Sequence, residues 1–201
     1  MSDESSSEHN PHSSDSEGET EIEIPRLFYS EETDLPFERC IDCDRALLSP
    51  TDDLGFVSYQ VSKVFVRNEA VFEFAMCADC QGRLHQEFSE ETCEAIIQFC
   101  RENMMGIFQS QHDSFQETIA ACVVCDRARE DCHRYSLGGL FSGMSLQLTP
   151  WPHIICDECE SQVGELISQK TRDAWDRFVE EHFDSPPGME IDDWSKMPML
   201  I

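Results

Sequence analysis

The chain has 201 residues, with 41 acidic against 14 basic side chains and a formal net charge of −27. Affinity for nucleic acid or an anionic membrane face comes from lysine and arginine neutralising phosphates, and the sequence offers no local basic patch, so direct contact with either is not expected. No apolar run approaches the roughly 20 residues that span a bilayer, and residues 1–10 lack the basic and apolar regions of a signal peptide. The expectation is a soluble, cytoplasmic protein, with the nucleus left open, in which clustered cysteines point to metal or redox chemistry before disulfides.

Residues 1–36 hold 11 acidic residues, one basic residue and clustered serines, a composition that cannot bury enough surface to fold and predicts a disordered acidic tail. Ser14 and Ser16, each with Glu three residues later, fit the pattern of acidic-directed kinases, while a solvated tail is the plainer account. A first module is predicted over residues 37–104. Val57, Tyr59 and Val61 alternate with polar residues, and Phe72, Phe74 and Met76 alternate with Glu73 and Ala75, giving two strands joined by a turn at Arg67, Asn68 and Glu69. The period then changes, and Leu84, Phe88, Thr92, Ala95 and Phe99 line one helical face. Residues 105–118 are polar and read as a linker, and a second module is predicted over 119–183. Its strand is placed at Met144, Leu146 and Leu148, with Gly138 and Gly139 as an earlier break and Pro150 and Pro152 confining it to an edge. Val163, Ile167, Thr171, Ala174 and Phe178 repeat the helical stripe, with Trp175 expected in the core, and a break is expected at Ser89 and Ser168. Residues 184–201 form a tail that ends in an apolar cluster of Trp194, Met197, Met199, Leu200 and Ile201, read as docking on the protein itself or presenting a peptide to a partner.

Eight of the eleven cysteines fall into four Cys-x-x-Cys pairs: Cys40 with Cys43, Cys77 with Cys80, Cys122 with Cys125, and Cys156 with Cys159. Cys40, Cys43, Asp44, Arg45 and Ala46 recur as Cys122, Cys125, Asp126, Arg127 and Ala128. Cys77, Cys80, Ser89, Thr92, Ala95, Phe99 and Glu102 recur as Cys156, Cys159, Ser168, Thr171, Ala174, Phe178 and Glu181. Identities in register at two nearly equal offsets mark an internal duplication. Tetrahedral zinc needs two such ligand pairs, and a module of this size needs a staple, so two zinc ions per chain are expected, with these eight cysteines as ligands and iron as the lesser alternative. A complete set in each copy favours local sites over cross-braced ones. Cys93 and Cys100 read as small buried hydrophobes and Cys132 as a loop thiol.

The order of a Cys-x-x-Cys turn, a β-hairpin and a Cys-x-x-Cys pair opening a helix resembles the treble-clef group of zinc-binding domains. The resemblance covers about two thirds of the chain and implies an α+β fold of two duplicated small zinc modules. It implies metal-ligand roles for Cys40, Cys43, Cys77 and Cys80, and separately for Cys122, Cys125, Cys156 and Cys159. Asp44 and Asp126 stand where many such knuckles have Gly. Treble-clef nucleases place a catalytic His on the hairpin between the zinc pairs. No His lies between Cys43 and Cys77, and residues 37–183 hold 12 basic against 26 acidic residues. His133 and His153 lie in the second spacer. No Ser-His-Asp order, phosphate loop or metalloprotease helix is visible, and the thioredoxin-like use of Cys-x-x-Cys lacks its βαβ context. The expected function is a non-enzymatic zinc protein that acts as an acidic adaptor or regulator for a partner with a basic surface. The alternatives are a thiol redox sensor that releases zinc on oxidation and an acidic mimic of nucleic acid.

Overall fold

A computed structural model describes residues 22–51, 55–104, 114–148 and 152–183. Among these, the strands are β1 (Ile22–Glu23), β2 (Ser58–Val66), β3 (Glu69–Cys77), β4 (Arg134–Ser142), β5 (Ser145–Leu146) and β6 (His153–Cys156). The helices are α1 (Ala78–Glu87), α2 (Glu90–Asn103), α3 (Phe115–Thr118), α4 (Asp157–Glu165) and α5 (Gln169–His182). One antiparallel sheet runs in the order β1-β5-β4-β2-β3, with β6 also paired to β4, so the fold is of the α+β kind.

The first hairpin forms where the alternation predicts it. Its two-residue loop, Arg67 and Asn68, has positive φ at both positions (51° and 67°), the conformation that matches the twist of the flanking strands. The second copy departs from expectation. Its leading strand is β4, and Gly138 and Gly139 lie inside it, not at a break. A Cβ on Gly139 would sit 2.6 Å from the Phe28 ring, so the absent side chain makes room for that ring. The return strand is split: β5 pairs with the end of β4 and β6 with its beginning. Of the Met144–Leu148 strand, only Ser145 and Leu146 are in β5.

The two predicted modules, residues 37–104 and 119–183, meet through the sheet. The equivalent strands β2 and β4 pair antiparallel along their full length, from Ser58 opposite Ser142 to Val66 opposite Arg134. The copies therefore share one sheet in a two-fold arrangement. Side chains of α5, from the second copy, pack on β3 of the first: Phe74 lies 5.7 Å from Phe178 and 6.3 Å from Trp175, centroid to centroid. Trp175 is buried, as the periodicity predicts.

The helices break at the expected serines. Ser89 and Ser168 are the N-caps of α2 and α5, each accepting from the N–H of the threonine three residues on, Thr92 at 3.1 Å and Thr171 at 3.3 Å. The two caps also meet each other. The Ser89 N–H donates to Thr171 Oγ1 and the Ser168 N–H to Thr92 Oγ1, both at 2.9 Å, and the two serine hydroxyls are 2.7 Å apart. Both threonines are fully buried. Thr92→Val keeps the shape and strands the Ser168 N–H, so it is expected to cost about 1–3 kcal/mol in chemical denaturation, with Thr171→Val behaving alike.

Residues 22–36, expected to be disordered, are structured. β1 pairs with β5, Ile24 is buried, and Phe28 is fully buried beside Phe141 (5.0 Å) and Phe115 (5.8 Å). Apolar burial outweighs the acidic composition there. The end of the predicted linker is likewise structured, because α3 inserts Phe115 into the same core. The serines at 14 and 16, residues 105–113 and the apolar C-terminal cluster lie outside the described residues. No described helix is long and apolar enough to cross a membrane.

Candidate metal centres

Each centre is assembled from a turn and a helix start that the same local sequence builds twice. In the first turn the Asp44 N–H donates to the Cys40 carbonyl at 3.0 Å and the Cys40 N–H to the Arg45 carbonyl at 2.9 Å. The second repeats this, Asp126 to Cys122 at 2.9 Å and Cys122 to Arg127 at 2.7 Å. Closing the turn needs a left-handed residue, and Asp44 and Asp126 supply it with φ of 57° and 58°. Aspartate tolerates that region better than most residues with a side chain, so it takes the place that Gly fills in many such knuckles.

A backbone bond fastens each turn to a strand. The Ile41 N–H donates to the Ala75 carbonyl at 2.9 Å, and the Val123 N–H to the Ile154 carbonyl at 3.0 Å. The second pair in each copy opens a helix, with Cys77 capping α1 and Cys156 capping α4. The positive end of a helix dipole favours thiolate over thiol. The N–H groups of Cys77 and Cys156 also donate to Cys40 Sγ (3.3 Å) and Cys122 Sγ (3.4 Å).

The eight cysteines come together as two groups of four, Cys40, Cys43, Cys77 and Cys80, and Cys122, Cys125, Cys156 and Cys159. All four sulfurs in each group lie within 4.8 Å of one another. The grouping is within copies, so the cross-braced arrangement is excluded. A tetrahedron with metal–sulfur bonds of about 2.3 Å requires sulfurs about 3.8 Å apart. The separations between Cys43 and Cys77 (3.8 Å), Cys125 and Cys156 (3.7 Å) and Cys77 and Cys80 (3.3 Å) fit such an ion. In both groups three sulfur-bearing residues are buried and one, Cys43 or Cys125, is exposed.

Burial pushes the Cys77 thiol up, the Cys156 thiol up to about 11, and Cys80 and Cys159 far up. For Cys40 burial also acts upward, but hydrogen bonds from the N–H groups of Cys43, Cys77 and Asp42 outweigh it and hold that thiol lower. A bound cation must therefore displace protons, and its affinity falls as pH falls. Competition with a colorimetric chelator between pH 8 and pH 6 should show apparent affinity dropping about tenfold per pH unit for each proton released.

Around the sulfurs, Arg45 pairs with Asp79 at 2.6 Å and Arg127 with Glu158, tying each turn to its helix in the same way. The identity of Arg45 and Arg127 under the repeat offset is the signal for these pairs in sequence. The first centre has more: the Arg83 guanidinium donates to Cys80 Sγ at 2.9 Å and to Asp42 at 2.8 Å, and His182 lies 3.5 Å from the same carboxylate. No repeat marks Arg83, because Gln162 stands at the matching position.

The remaining candidates lie apart from both groups. Cys93 and Cys100 are half-buried on α2, and burial pushes the Cys100 thiol up. Cys132 is buried just before β4. His133 is exposed and its ring accepts from Arg67 Nε at 3.1 Å. His153 is buried on β6, where burial lowers its pKa to about 4 and keeps it neutral at pH 7. Comparison of the chain with protein-family models, with curated proteins and with solved structures found no match in any of the three.

Proposed function

We propose that each four-cysteine group binds one zinc ion, and that the chain is a non-enzymatic adaptor or regulator whose acidic surface engages a protein partner with a basic face. The observation that carries the reading is the pair of four-sulfur clusters, each seated at the junction of turn, hairpin and helix. Four thiolates fill a tetrahedral zinc ion and leave no coordination position for a substrate, which is the mark of a structural centre as opposed to a catalytic one. The order of elements in each copy supports a treble-clef-like module. Two four-thiolate zinc sites each carry a net charge of −2, which adds to a chain already at −27 and steers association towards basic surfaces.

A pull-down with the zinc-loaded full chain tests the adaptor role. The expected result is a protein partner with a basic surface whose capture weakens steeply as salt rises. Capture of no salt-sensitive protein, together with a turnover that depends on the cysteines, would overturn it. A second reading, a thiol redox sensor, is favoured by the exposure of Cys43 and Cys125. Under mild peroxide a sensor releases zinc, whereas a purely structural pair of centres keeps it.

A further inference from the structure

We propose that the two centres are unequal, and that the group of Cys122, Cys125, Cys156 and Cys159 gives up its ion first when the thiolates are oxidised, because the first group is guarded by Arg83. This rests on the reading that both groups hold zinc.

The copies share the turn, the strand bond, the helix cap and one Arg–carboxylate tie, so those features cannot distinguish them. Arg83 can. It donates to Cys80 Sγ at 2.9 Å while braced by Asp42 at 2.8 Å, which puts a fixed cation on one sulfur of the first group. A charge-assisted donor draws electron density from a thiolate and lowers its basicity and nucleophilicity. The second group has Gln162 in place of Arg83 and Val124 in place of Asp42, and neither supplies a charge. The flanks differ in the same sense. Asp157 takes the place of Ala78 and adds a carboxylate beside the second group, while Asp79 and Glu158 are alike paired with an arginine and Glu160 is buried against Ser136 and Arg134. Without such a donor, the thiolates of the second group accept an electrophile more readily, and that event frees a ligand.

A second difference is independent of the first. Cys132 is a buried fifth thiol in the second copy, held by a bond from its Sγ to the Ala128 carbonyl at 3.4 Å. The first copy has Pro50 at the matching position and no such thiol. Cys132 is thus a buried thiol of the second copy that the first lacks.

The oxidation balances with hydrogen peroxide as the oxidant. One thiolate attacks the O–O bond, forming a sulfenic acid and expelling hydroxide. A neighbouring thiolate then attacks that sulfur, expelling a second hydroxide and forming an S–S bond. Two sulfurs lose the two electrons that reduce the peroxide, and the zinc ion, deprived of two ligands, leaves. Cys125 is the exposed sulfur of the second group and has Cys156 at 3.7 Å, so these two are placed to react in that order.

The test treats the zinc-loaded full chain with about one equivalent of peroxide, following released zinc with an indicator dye and mapping oxidised cysteines by mass spectrometry of digested protein. One ion should leave before the other, with the first disulfide confined to residues 122–159 and Cys40, Cys43, Cys77 and Cys80 still reduced. Loss of both ions at one rate, or oxidation of the first group ahead of the second, overturns the inference and leaves the zinc reading standing. Fewer than two ions before peroxide is added overturns that reading, and the inference with it. Arg83 is well exposed, so Arg83→Gln should fold. It should speed release from the first group by about tenfold, the scale expected when a metal ligand loses its hydrogen-bond donor, and leave the second unchanged. An unchanged rate in that variant also overturns the inference.

Discussion

Replacing Cys77 and Cys80 together by serine is expected to unfold the whole described structure, not only the first copy. Structural zinc in small domains contributes on the order of 10–16 kcal/mol of apparent binding energy, and a domain of this size has only about 5–15 kcal/mol of net stability to lose. Separate modules would confine the damage. Here β2 and β4 form the centre of one sheet, and Trp175 and Phe178 of the second copy rest on Phe74 of the first. Once β3 detaches from α1, the second copy loses both a neighbouring strand and the surface its last helix covers. Hydrogen exchange followed by mass spectrometry should show protection lost across β4 and α5 as well as β2 and β3. Retained protection in β4, β6 and α5 would mean that the copies fold independently, against the shared sheet.

The second large effect is expected at Lys63. Its side chain is fully buried, and its ammonium donates to the Tyr29 carbonyl at 2.6 Å and to Glu31 at 3.0 Å and forms an ion pair with Glu73 at 3.0 Å. Two strands and the segment ahead of the first module meet at this one cation, because Glu73 lies opposite Lys63 in the β2–β3 register. Lys63→Met removes the charge and leaves the mostly buried Glu73 carboxylate without a counter-charge, which should cost about 3–5 kcal/mol. Adding Glu73→Gln removes the stranded charge. The double variant should therefore be less destabilised than the two single changes predict together, by about 1 kcal/mol or more in urea denaturation. Strict additivity would contradict the assignment of Lys63 as the partner that makes burial of Glu73 tolerable. The acidic 22–36 segment should also become protease-sensitive in Lys63→Met, since Tyr29 and Glu31 lose their anchor.

What could be read from the sequence was local. The four cysteine pairs, their grouping by copy, the first hairpin and the helix breaks at Ser89 and Ser168 all follow from spacing and period, because each depends on residues close in the chain. The partnership of the breaks was not legible. Thr92 and Thr171 sit on the apolar stripe as if they were core residues, and only the folded chain reveals that each takes an N–H from the other copy. The second strand was misplaced for a related reason. Two consecutive glycines weaken any local case for a strand, and the residue that makes Gly139 necessary is Phe28, more than a hundred positions away. Residues 22–36 look too acidic to fold, since composition averages over Ile24 and Phe28 without knowing that a pocket awaits them. Alternation in β2 suggested one wet face, yet Gln60 and Ser62 are buried too, with Gln60 donating to Ser62 and accepting from Gln81. In the same way, Arg83 carries no signature in the repeat, because only one copy has it.

The measurement that bears most directly on this account is native mass spectrometry of the purified full chain, combined with elemental analysis and circular dichroism before and after a strong chelator. The account predicts two zinc ions per chain and collapse of tertiary structure when they are withdrawn. A chain that carries no metal as purified and keeps the same ordered fold in the chelator would contradict it.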